Sequence, residues 1–411
     1  MKKYVIIGNS IAAIGCIEGI RSVDTKGGIT VISEEKHPVY GRPLISYYLQ
    51  DKTDEKRMNY RSEDFYESNK CKVIYGKKAV RIDSEAKEVI LDNGKKIEYD
   101  ALCVATGSRP FVPPFEGLET VSKKYSFMTL DDAIELKNNT DESTKVLIRG
   151  AGLIGLKCAE GLCGRVGSIT VCDLADRVLS SILDAECAEI MQKNLEEHGV
   201  EFMLSDSVIK FDGGTAIIKS GKKVDFDVLV LAVGVRANTE LLKESGGKVD
   251  RGIIVDEKMA TDIDSVYSAG DCTQGMDITS GENKVLAILP NAYLQGHTAG
   301  VNMAGGDEVF DKGIPMNSIG FFGLHAMTAG AYVGAVYEEK TDKKLKRLFV
   351  KDGLLKGFII IGSDTERAGI YTSLIREQTP LNDIDIKSMQ KIASNMIFSS
   401  EIRRKKFGGV V

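Results

Sequence analysis

A glycine-rich fingerprint occurs twice in this chain, and each copy lies between a short apolar strand and a helical run. The first copy reads Gly8-x-Ser10-x-x-Ala13, and the second reads Gly150-x-Gly152-x-x-Gly155 with Ile154 inside it. Such a turn points the backbone amides at a helix N-terminus toward a pyrophosphate, because glycine lets the backbone approach the phosphate closely. The sequence therefore predicts two dinucleotide sites in one chain, which indicates electron transfer between two nucleotides.

An acidic residue follows the second predicted strand after each fingerprint. The strand at 29–32 leads to Glu34, and the strand at 169–171 leads to Asp173. A carboxylate at this place accepts hydrogen bonds from the hydroxyls of an adenosine ribose and repels a 2′-phosphate. Asp173 therefore favours NADH over NADPH, although Arg177 lies four residues further on.

The same order of elements repeats along the chain: strand, fingerprint, helix, acid, β-meander, and a strand that ends at glycine. Meanders are predicted for 73–94, with a turn at Asn93 and Gly94, and around 212–221. The predicted fold class is α/β, with two three-layer Rossmann-like dinucleotide-binding domains and an α+β C-terminal domain. The predicted domains are residues 1–114 with 251–324, 115–250, and 325–411.

Composition narrows the class of protein. The chain has 411 residues, of which 43% are hydrophobic and 27% charged, and its net charge of -5 argues against nucleic-acid binding. No stretch reaches the roughly 20 apolar residues of a membrane span. Eight scattered cysteines without a Cys-x-x-Cys pair, beside only four histidines, predict no metal site and a reduced, cytoplasmic protein.

Five further motifs accompany the fingerprints, namely residues 105–110 (ATGSRP), 233–238 (VGVRAN), 267–271 (YSAGD), 40–46 (YGRPLIS) and 290–296 (PNAYLQG). The set resembles that of the FAD-dependent pyridine-nucleotide disulfide oxidoreductase superfamily, which implies a glutathione-reductase-like fold. The last two motifs are similar to those of the branch that holds NADH:rubredoxin reductases and the flavin-binding part of NADH nitrite reductases.

The resemblance implies which residues bind the cofactors FAD and NAD(H). For FAD they are Gly8, Ser10, Ala13, Glu34, Arg42, Pro43, Ala105, Thr106, Gly107, Gly270, Asp271, Pro290, Asn291 and Ala292. Asp271 is expected to bond the ribityl chain, and a helix that begins at Pro290 is expected to direct its positive end at the flavin pyrimidine. For NAD(H) they are Gly150, Gly152, Ile154, Gly155, Asp173 and Gly234, with Lys157 and Glu160 as further candidates.

The chain also departs from the superfamily. Residues 35–60 contain no cysteine, and the last histidine is His325, so neither a redox thiol nor a C-terminal acid-base pair is expected. Lys157 stands where many relatives have a glutamate. Without a redox thiol or an acid-base pair, no residue is assigned a catalytic role. The protein needs only to orient the two cofactors for hydride transfer between them.

These observations predict an FAD-dependent NADH oxidoreductase that passes electrons between NAD(H) and a one-electron iron-sulfur or rubredoxin-like protein, either alone or as the flavoprotein subunit of a larger complex. Two alternatives stay open: an NADH oxidase that reduces oxygen, and a non-catalytic assembly subunit. A homodimer and a hetero-oligomer are both compatible with the sequence. Basic runs at 343–347 and 403–406 are either docking sites for an acidic partner or solvated surface.

Overall fold

A computed structural model describes residues 1–341, 344–362, 365 and 368–384. Its α-helices, in chain order, are α1 (Ile11–Val23), α2 (Ile45–Leu49), α3 (Phe65–Ser68), α4 (Leu130–Asn138), α5 (Leu153–Leu162), α6 (Ala185–Glu196), α7 (Glu240–Glu244), α8 (Leu289–Met303) and α9 (Ala368–Arg376). Short 3₁₀ turns cover Arg42–Leu44, Leu118–Thr120 and Leu381–Asp383.

The strands in chain order are β1 (Lys3–Ile7), β2 (Gly28–Ile32), β3 (Cys71–Ile74), β4 (Ala79–Asp83), β5 (Glu88–Leu91), β6 (Lys96–Glu98), β7 (Ala101–Val104), β8 (Ser108–Pro110), β9 (Lys124–Tyr125), β10 (Lys145–Arg149), β11 (Ser168–Cys172), β12 (Val200–Met203), β13 (Val208–Asp212), β14 (Thr215–Ile218), β15 (Lys223–Asp225), β16 (Val228–Leu231), β17 (Val235–Ala237), β18 (Ile253–Ile254), β19 (Val266–Ser268), β20 (Thr273–Asp277), β21 (Glu282–Val285), β22 (Met316–Phe321), β23 (Leu324–Gly330), β24 (Ala335–Thr341), β25 (Lys344–Lys351) and β26 (Leu354–Ile361).

By their contacts, these elements fall into two compact units. The first unit is Met1–Phe111 with Val235–Gly313, and the second is Val112–Gly234 with the described residues from Ile314 onward. The first unit resumes at Val235 because β17 pairs with β8, earlier than the predicted resumption at 251. The division into three domains stays an interpretation of the sequence.

The first unit is built on a parallel sheet of order β19-β7-β1-β2-β3. Four consecutive residues of β1, from Tyr4 to Ile7, are buried, as expected for a parallel strand covered on both faces. The meander β4-β5-β6 and α1 share one hydrophobic core with this sheet, which includes Ile14, Ile6 and Val89. The unit therefore has the three layers that the sequence predicts.

The second unit repeats this plan with a parallel sheet of order β12-β11-β10-β16-β9. Its meander, β13-β14-β15, covers one face of the sheet, and Phe211 of β13 shares a core with Leu147 of β10 and Leu229 of β16. Both units thus have the strand order of a doubly wound fold, in which ligands bind at the carboxyl ends of the strands.

The chain from Met316 forms an antiparallel sheet of order β22-β23-β26-β25-β24, and α9 packs on β26. The sheet and α9 give this part of the chain the predicted α+β character, but the sheet begins before the predicted boundary at 324, which would cut off β22. The rest of the predicted C-terminal segment, including the basic run 403–406, lies outside the described residues.

One strand differs from the prediction. Val73 and Ile74, which the sequence suggests as the start of the first meander, lie in β3 and pair in parallel with β2. A short apolar run looks the same in a parallel sheet edge and in a hairpin, so the pattern alone could not distinguish them. The Asn93 and Gly94 turn joins β5 to β6 as expected.

Candidate functional site

The first glycine of each fingerprint is required by the backbone. Gly8 follows β1 with φ +115°, and a Cβ at this position would collide with the carbonyl oxygen of Ala105. Gly150 follows β10 with φ +121°, and a Cβ there would collide with the carbonyl oxygen of Ala232. The same steric demand in both units places each turn against the strand that follows the meander.

The remaining fingerprint positions differ between the units. Gly152 is the N-cap of α5, and no atom lies within 4 Å of the place where its Cβ would stand. Ser10 takes the matching place before α1 and makes no side-chain cap hydrogen bond. A Cβ at Gly155 would collide with the carbonyl oxygen of Gly150, whereas Ala13 carries its methyl group buried in α1. Ile154 is half-buried in the first turn of α5.

Both turns fit a pyrophosphate. Uncapped helix N-termini leave backbone amides to meet an anion, and the open space before Gly152 leaves room for it. In the first unit, the buried Nδ2 of Asn9 has no hydrogen-bond partner among the described residues, while Tyr66 donates to its Oδ1 over 2.6 Å. An unmatched buried donor beside the turn suits a ligand that accepts hydrogen bonds.

The acid after β2 is not placed as expected. The side chain of Glu34 is 68% exposed and pairs with Lys78 over 3.2 Å. The next residue, Glu35, is less exposed, accepts a 2.6 Å hydrogen bond from the Tyr40 hydroxyl and pairs with Arg42. Glu35 is therefore a functional candidate that sequence reasoning missed, and the only signal for it was a second acid in the same loop.

The acid after β11 is held by the fingerprint itself. One carboxylate oxygen of Asp173 accepts a hydrogen bond from the amide of Ala151 over 2.6 Å, and the other accepts from Ala175 over 2.8 Å. Arg177 is bound within its own loop, to Asp176 and to the carbonyl of Leu183. The cation nearest in sequence is thus engaged away from Asp173.

Asp271 lies at a tight corner after β19. Gly270, with φ +85°, leaves a Cβ position 3.0 Å from that of Ala12, and its amide donates to Gln295 Oε1 over 2.9 Å. Burial raises the pKa of Asp271, while the nearby charge of Arg42 and a 3.4 Å hydrogen bond from Ser108 oppose that shift. A half-buried carboxylate with few donors suits a ligand that brings hydroxyl groups.

Helices α1 and α8 pack with their backbones in contact. A Cβ at Gly15 would collide with the carbonyl oxygen of Tyr293, and a Cβ at Gly296 would collide with that of Ala12. This seam brings the first turns of both helices close together. Helix α8 begins at Leu289, so Pro290 is its second residue, and Asn291 and Ala292 are buried in its first turn. Glycines four residues apart in both helices were the sequence signal for this seam, and it was missed.

Ala105, Thr106 and Gly107 continue β7 beside the first turn. The amide of Ala105 donates to the carbonyl of Ile7 over 2.8 Å, and Thr106 exchanges 2.8 Å hydrogen bonds with Asn238. Pro43 lies with Arg42 in a 3₁₀ turn. In the second unit, Gly234 follows β16 with φ +120° and open space around its Cβ position.

Lys157 and Glu160 form an ion pair with each other, and each also binds the backbone of the hairpin formed by β22 and β23. Lys157 Nζ lies 2.7 Å from Glu160 and donates to the carbonyl of Gly320, and the amide of Phe322 donates to Glu160 over 2.9 Å. Glu160 is buried. The pair therefore fastens α5 to the β22-β23 hairpin, and a nucleotide contact by either residue stays a prediction.

Six of the eight cysteines are poor nucleophiles. All eight lie among the described residues and are free, and most are buried. Burial raises the pKa of the thiols of Cys71 (to about 11), Cys158, Cys163, Cys172 and Cys187, and a hydrogen bond with Cys16 together with burial raises that of Cys103. The thiolate needed for disulfide exchange is thus disfavoured.

A metal site and a membrane-spanning helix were both sought among the described residues. These residues contain no group of three or more histidine, cysteine or acidic side chains placed to hold a metal ion. No helix within the same ranges has the length and apolarity to cross a membrane.

Comparison with known proteins agrees with this geometry. Residues 2–296 match the family model described as pyridine nucleotide-disulphide oxidoreductase. A solved structure of a covalent putidaredoxin reductase-putidaredoxin complex matches with a TM-score of 0.86 over 99% of this chain and 98% of that chain, at 20% identity. That likeness shows the fold.

Three curated relatives cover most of the chain. Subunit epsilon of an NADH-dependent phenylglyoxylate dehydrogenase from Aromatoleum evansii is 32% identical over 93% of both chains. An NADH oxidase from Methanocaldococcus jannaschii is 31% identical over 88% of both, and a rubredoxin-NAD(+) reductase from Pseudomonas putida is 29% identical over 73% of this chain and 80% of its own. Two other relatives are longer, and the chain spans 51% and 45% of their length.

The family match confirms the predicted fold class and the predicted cofactors. The two units supply two dinucleotide turns, and the family uses FAD and a nicotinamide nucleotide. The chain belongs to the pyridine nucleotide-disulphide oxidoreductase family and is an FAD-containing NAD(P)H oxidoreductase.

Proposed function

We propose that this protein passes electrons from NADH through FAD directly to a one-electron iron-sulfur or rubredoxin-like protein, without a thiol relay. The observation that carries the proposal is the cysteine distribution. Residues 35–60, where relatives that reduce disulfides carry a redox cysteine, contain none, and the protein raises the pKa of most of its thiols. Electrons must then leave the flavin directly.

FAD is assigned to the first unit. The turn at Gly8 and Ser10 receives the pyrophosphate, Glu35 rather than the more exposed Glu34 receives the adenosine ribose, and Asp271 receives the ribityl hydroxyls. Arg42 links these two carboxylates. It forms an ion pair with Glu35, and its positive charge opposes the rise in the pKa of Asp271. Bound FAD supplies the redox chemistry, because it takes two electrons from NADH and returns them singly.

NADH is assigned to the second unit. The open turn at Gly152 receives its pyrophosphate, and Asp173, already oriented by the amide of Ala151, receives its ribose hydroxyls. The engagement of Arg177 within its own loop supports NADH over NADPH. The chain's own residues bind and orient the nucleotide, and none needs to move a proton.

The printed functions of the relatives support the class of acceptor. One is a subunit of a larger NADH-dependent dehydrogenase, and another reduces rubredoxin. We therefore propose a small iron protein as the acceptor, or a neighbouring subunit that carries such a centre. Whether the protein forms a homodimer or a hetero-oligomer, and its cytoplasmic location, stay predictions.

Two basic residues of the run at 343–347 are paired within the second unit, which weakens the case for this run as a docking site, although Lys344 is exposed. Lys346 is 1% exposed and pairs with Glu339 over 3.0 Å. Arg347 is 17% exposed and pairs with Glu338, Asp184 and Glu186. The charges of these two residues are neutralised inside the second unit, whereas Lys343 lies outside the described residues.

The NADH oxidase alternative is supported by relatives of that name, among them the oxidase from Methanocaldococcus jannaschii at 31% identity. The two functions differ in the acceptor that oxidises the reduced protein fastest. The assembly-subunit alternative is disfavoured by the intact second turn and the oriented Asp173.

A stopped-flow experiment separates these functions. The protein is reduced anaerobically with NADH and mixed with a rubredoxin, a [2Fe-2S] ferredoxin, oxygen or oxidised glutathione. We expect an iron protein to reoxidise it far faster than oxygen, with no reaction with glutathione. A Cys71→Ser/Cys163→Ser variant, which removes the two thiols that are not fully buried, should keep the same rates. Fastest reoxidation by oxygen would identify an oxidase.

A further inference from the structure

Arg149, the last residue of β10, is a buried cation that the proposed function does not use. Its side chain is 4% exposed. It donates one hydrogen bond, from Nη1 to the carbonyl oxygen of Cys172 over 3.1 Å, and its buried Nε has no partner among the described residues. A buried charge with so few partners is costly unless opposite charge lies nearby.

Its position connects it to the ribose end of the second unit. In the parallel register Arg149 stands beside Cys172, the residue before Asp173. The carbonyl of Cys172 accepts both from Arg149 and, over 2.9 Å, from the amide of Gly150. The guanidinium therefore holds the end of β11, from which Asp173 projects.

An aromatic ring also packs on the guanidinium. The ring of Phe115 lies 5.7 Å from its central carbon, within the range of a cation–π contact. This contact and the hydrogen bond to Cys172 hold the buried side chain at the strand end.

Two carboxylates, Asp173 and Asp206, lie close to the end of β11. Burial raises the pKa of the Cys172 thiol, the charge of Arg149 opposes this shift, and Asp206 and Asp173 reinforce it. All three charges therefore act within range of the same sulfur atom. The amide of Asp206 also donates to the carbonyl of Asp173 over 3.1 Å, so both acids belong to one local structure with Arg149.

We propose that Arg149 is a positioning residue for the adenosine half of NADH: it fixes the strand end that carries Asp173. The inference rests on the proposed placement of NADH at the second fingerprint. Arg149 acts through Asp173 and the backbone, so it affects binding of the adenosine half and not the electron transfer itself.

The test compares inhibition by ADP-ribose and by nicotinamide mononucleotide, which probe the two halves of NADH separately. In Arg149→Met, we expect the inhibition constant of ADP-ribose and the KM for NADH to rise about tenfold, the scale of a lost hydrogen bond to a charged group. Inhibition by nicotinamide mononucleotide and kcat at saturating NADH should stay unchanged. Arg149→Lys, which keeps the charge, should recover part of the loss.

Two control variants make the result interpretable. Leu147→Ala, on the same strand and fully buried, should lower thermal stability without changing ADP-ribose inhibition. Asp173→Ala should weaken ADP-ribose on its own; if it does not, the placement of NADH is wrong. If Asp173→Ala weakens ADP-ribose and Arg149→Met does not, or if Arg149→Met weakens both half-ligands equally, the role of Arg149 is overturned.

Discussion

Gly150 and Gly152 stand two residues apart in one turn, yet a methyl group at each would meet different surroundings. At Gly150 it would strike the carbonyl of Ala232 from a backbone with φ +121°, and at Gly152 it would enter open space. Gly150→Ala should therefore destabilise the protein by about 2–4 kcal/mol. Gly152→Ala should fold normally and raise the KM for NADH, because its methyl group would occupy the space assigned to the pyrophosphate.

Thermal melting of the two variants, together with NADH kinetics of Gly152→Ala, checks this separation of roles. An equal loss of stability in both variants would mean that the turn is strained throughout. An unchanged KM for NADH in Gly152→Ala would show that the pyrophosphate does not bind at this turn.

The stability of the flavin-free protein is expected to depend on pH through Asp271. Because burial raises its pKa above the ordinary value of 3.8, the ionised carboxylate costs stability in the flavin-free protein at pH values above the raised pKa. That cost shrinks as the pH falls and vanishes below the ordinary value. Asp271→Asn should therefore melt at a higher temperature than the wild type at pH 7 without flavin, and the difference should fade in acid.

The same Asp271→Asn variant should retain FAD less well, since a carboxylate binds ribityl hydroxyls more strongly than an amide does. Flavin content after gel filtration measures this. A flavin-free variant that melts below the wild type at pH 7 would show that Arg42 compensates the buried charge fully.

Single residues also show where sequence reasoning ends. The first glycines follow from steric necessity, so the pattern predicts them. The choice between Glu34 and Glu35 depends on how the loop turns after β2. Glu34 forms an exposed ion pair with Lys78, which lies 44 residues further along the chain. Similarly, Lys157 has its partners on a hairpin more than 150 residues away. Such long-range contacts leave no local signal.

At the scale of elements, apolar runs predict the parallel strands well because those strands are buried on both faces. The short strand β3 was assigned to the wrong sheet, since four residues carry too little pattern to set a partner. The contact between α1 and α8 was not predicted, because glycine in a helix is a weak helix former and its packing role appears only once the partner helix is known.

The Lys157-Glu160 pair is testable at this scale. Lys157→Met leaves the buried Glu160 without its cation, and we expect a loss of about 1–3 kcal/mol in the free energy of unfolding. The double variant Lys157→Met/Glu160→Gln should lose less than the sum of the single changes. Lys193→Met, which breaks an exposed pair with Glu189 on α6, should change stability by less than about 0.5 kcal/mol.

Urea unfolding measures these differences, and NADH kinetics decide the role. A structural role predicts an unchanged KM for NADH in Lys157→Met. A raised KM for NADH with normal stability would show that Lys157 contacts the nucleotide.

At the scale of the whole molecule, the duplicated order of elements predicts two nucleotide units, and the structure contains both. The fold class and the two dinucleotide sites could be read from the chain because each fingerprint carries its own local geometry, whereas FAD was implied by the resemblance to a known superfamily. The acceptor could not, because docking of a redox partner depends on a surface that no single motif defines.

The central claim is that electrons leave the flavin without passing through a thiol. Anaerobic titration with NADH, followed by absorbance, tests it most directly. One NADH per FAD should bleach the flavin completely, with no long-wavelength band from a thiolate beside oxidised flavin. Consumption of a second equivalent of NADH, or the appearance of that band, would contradict the account.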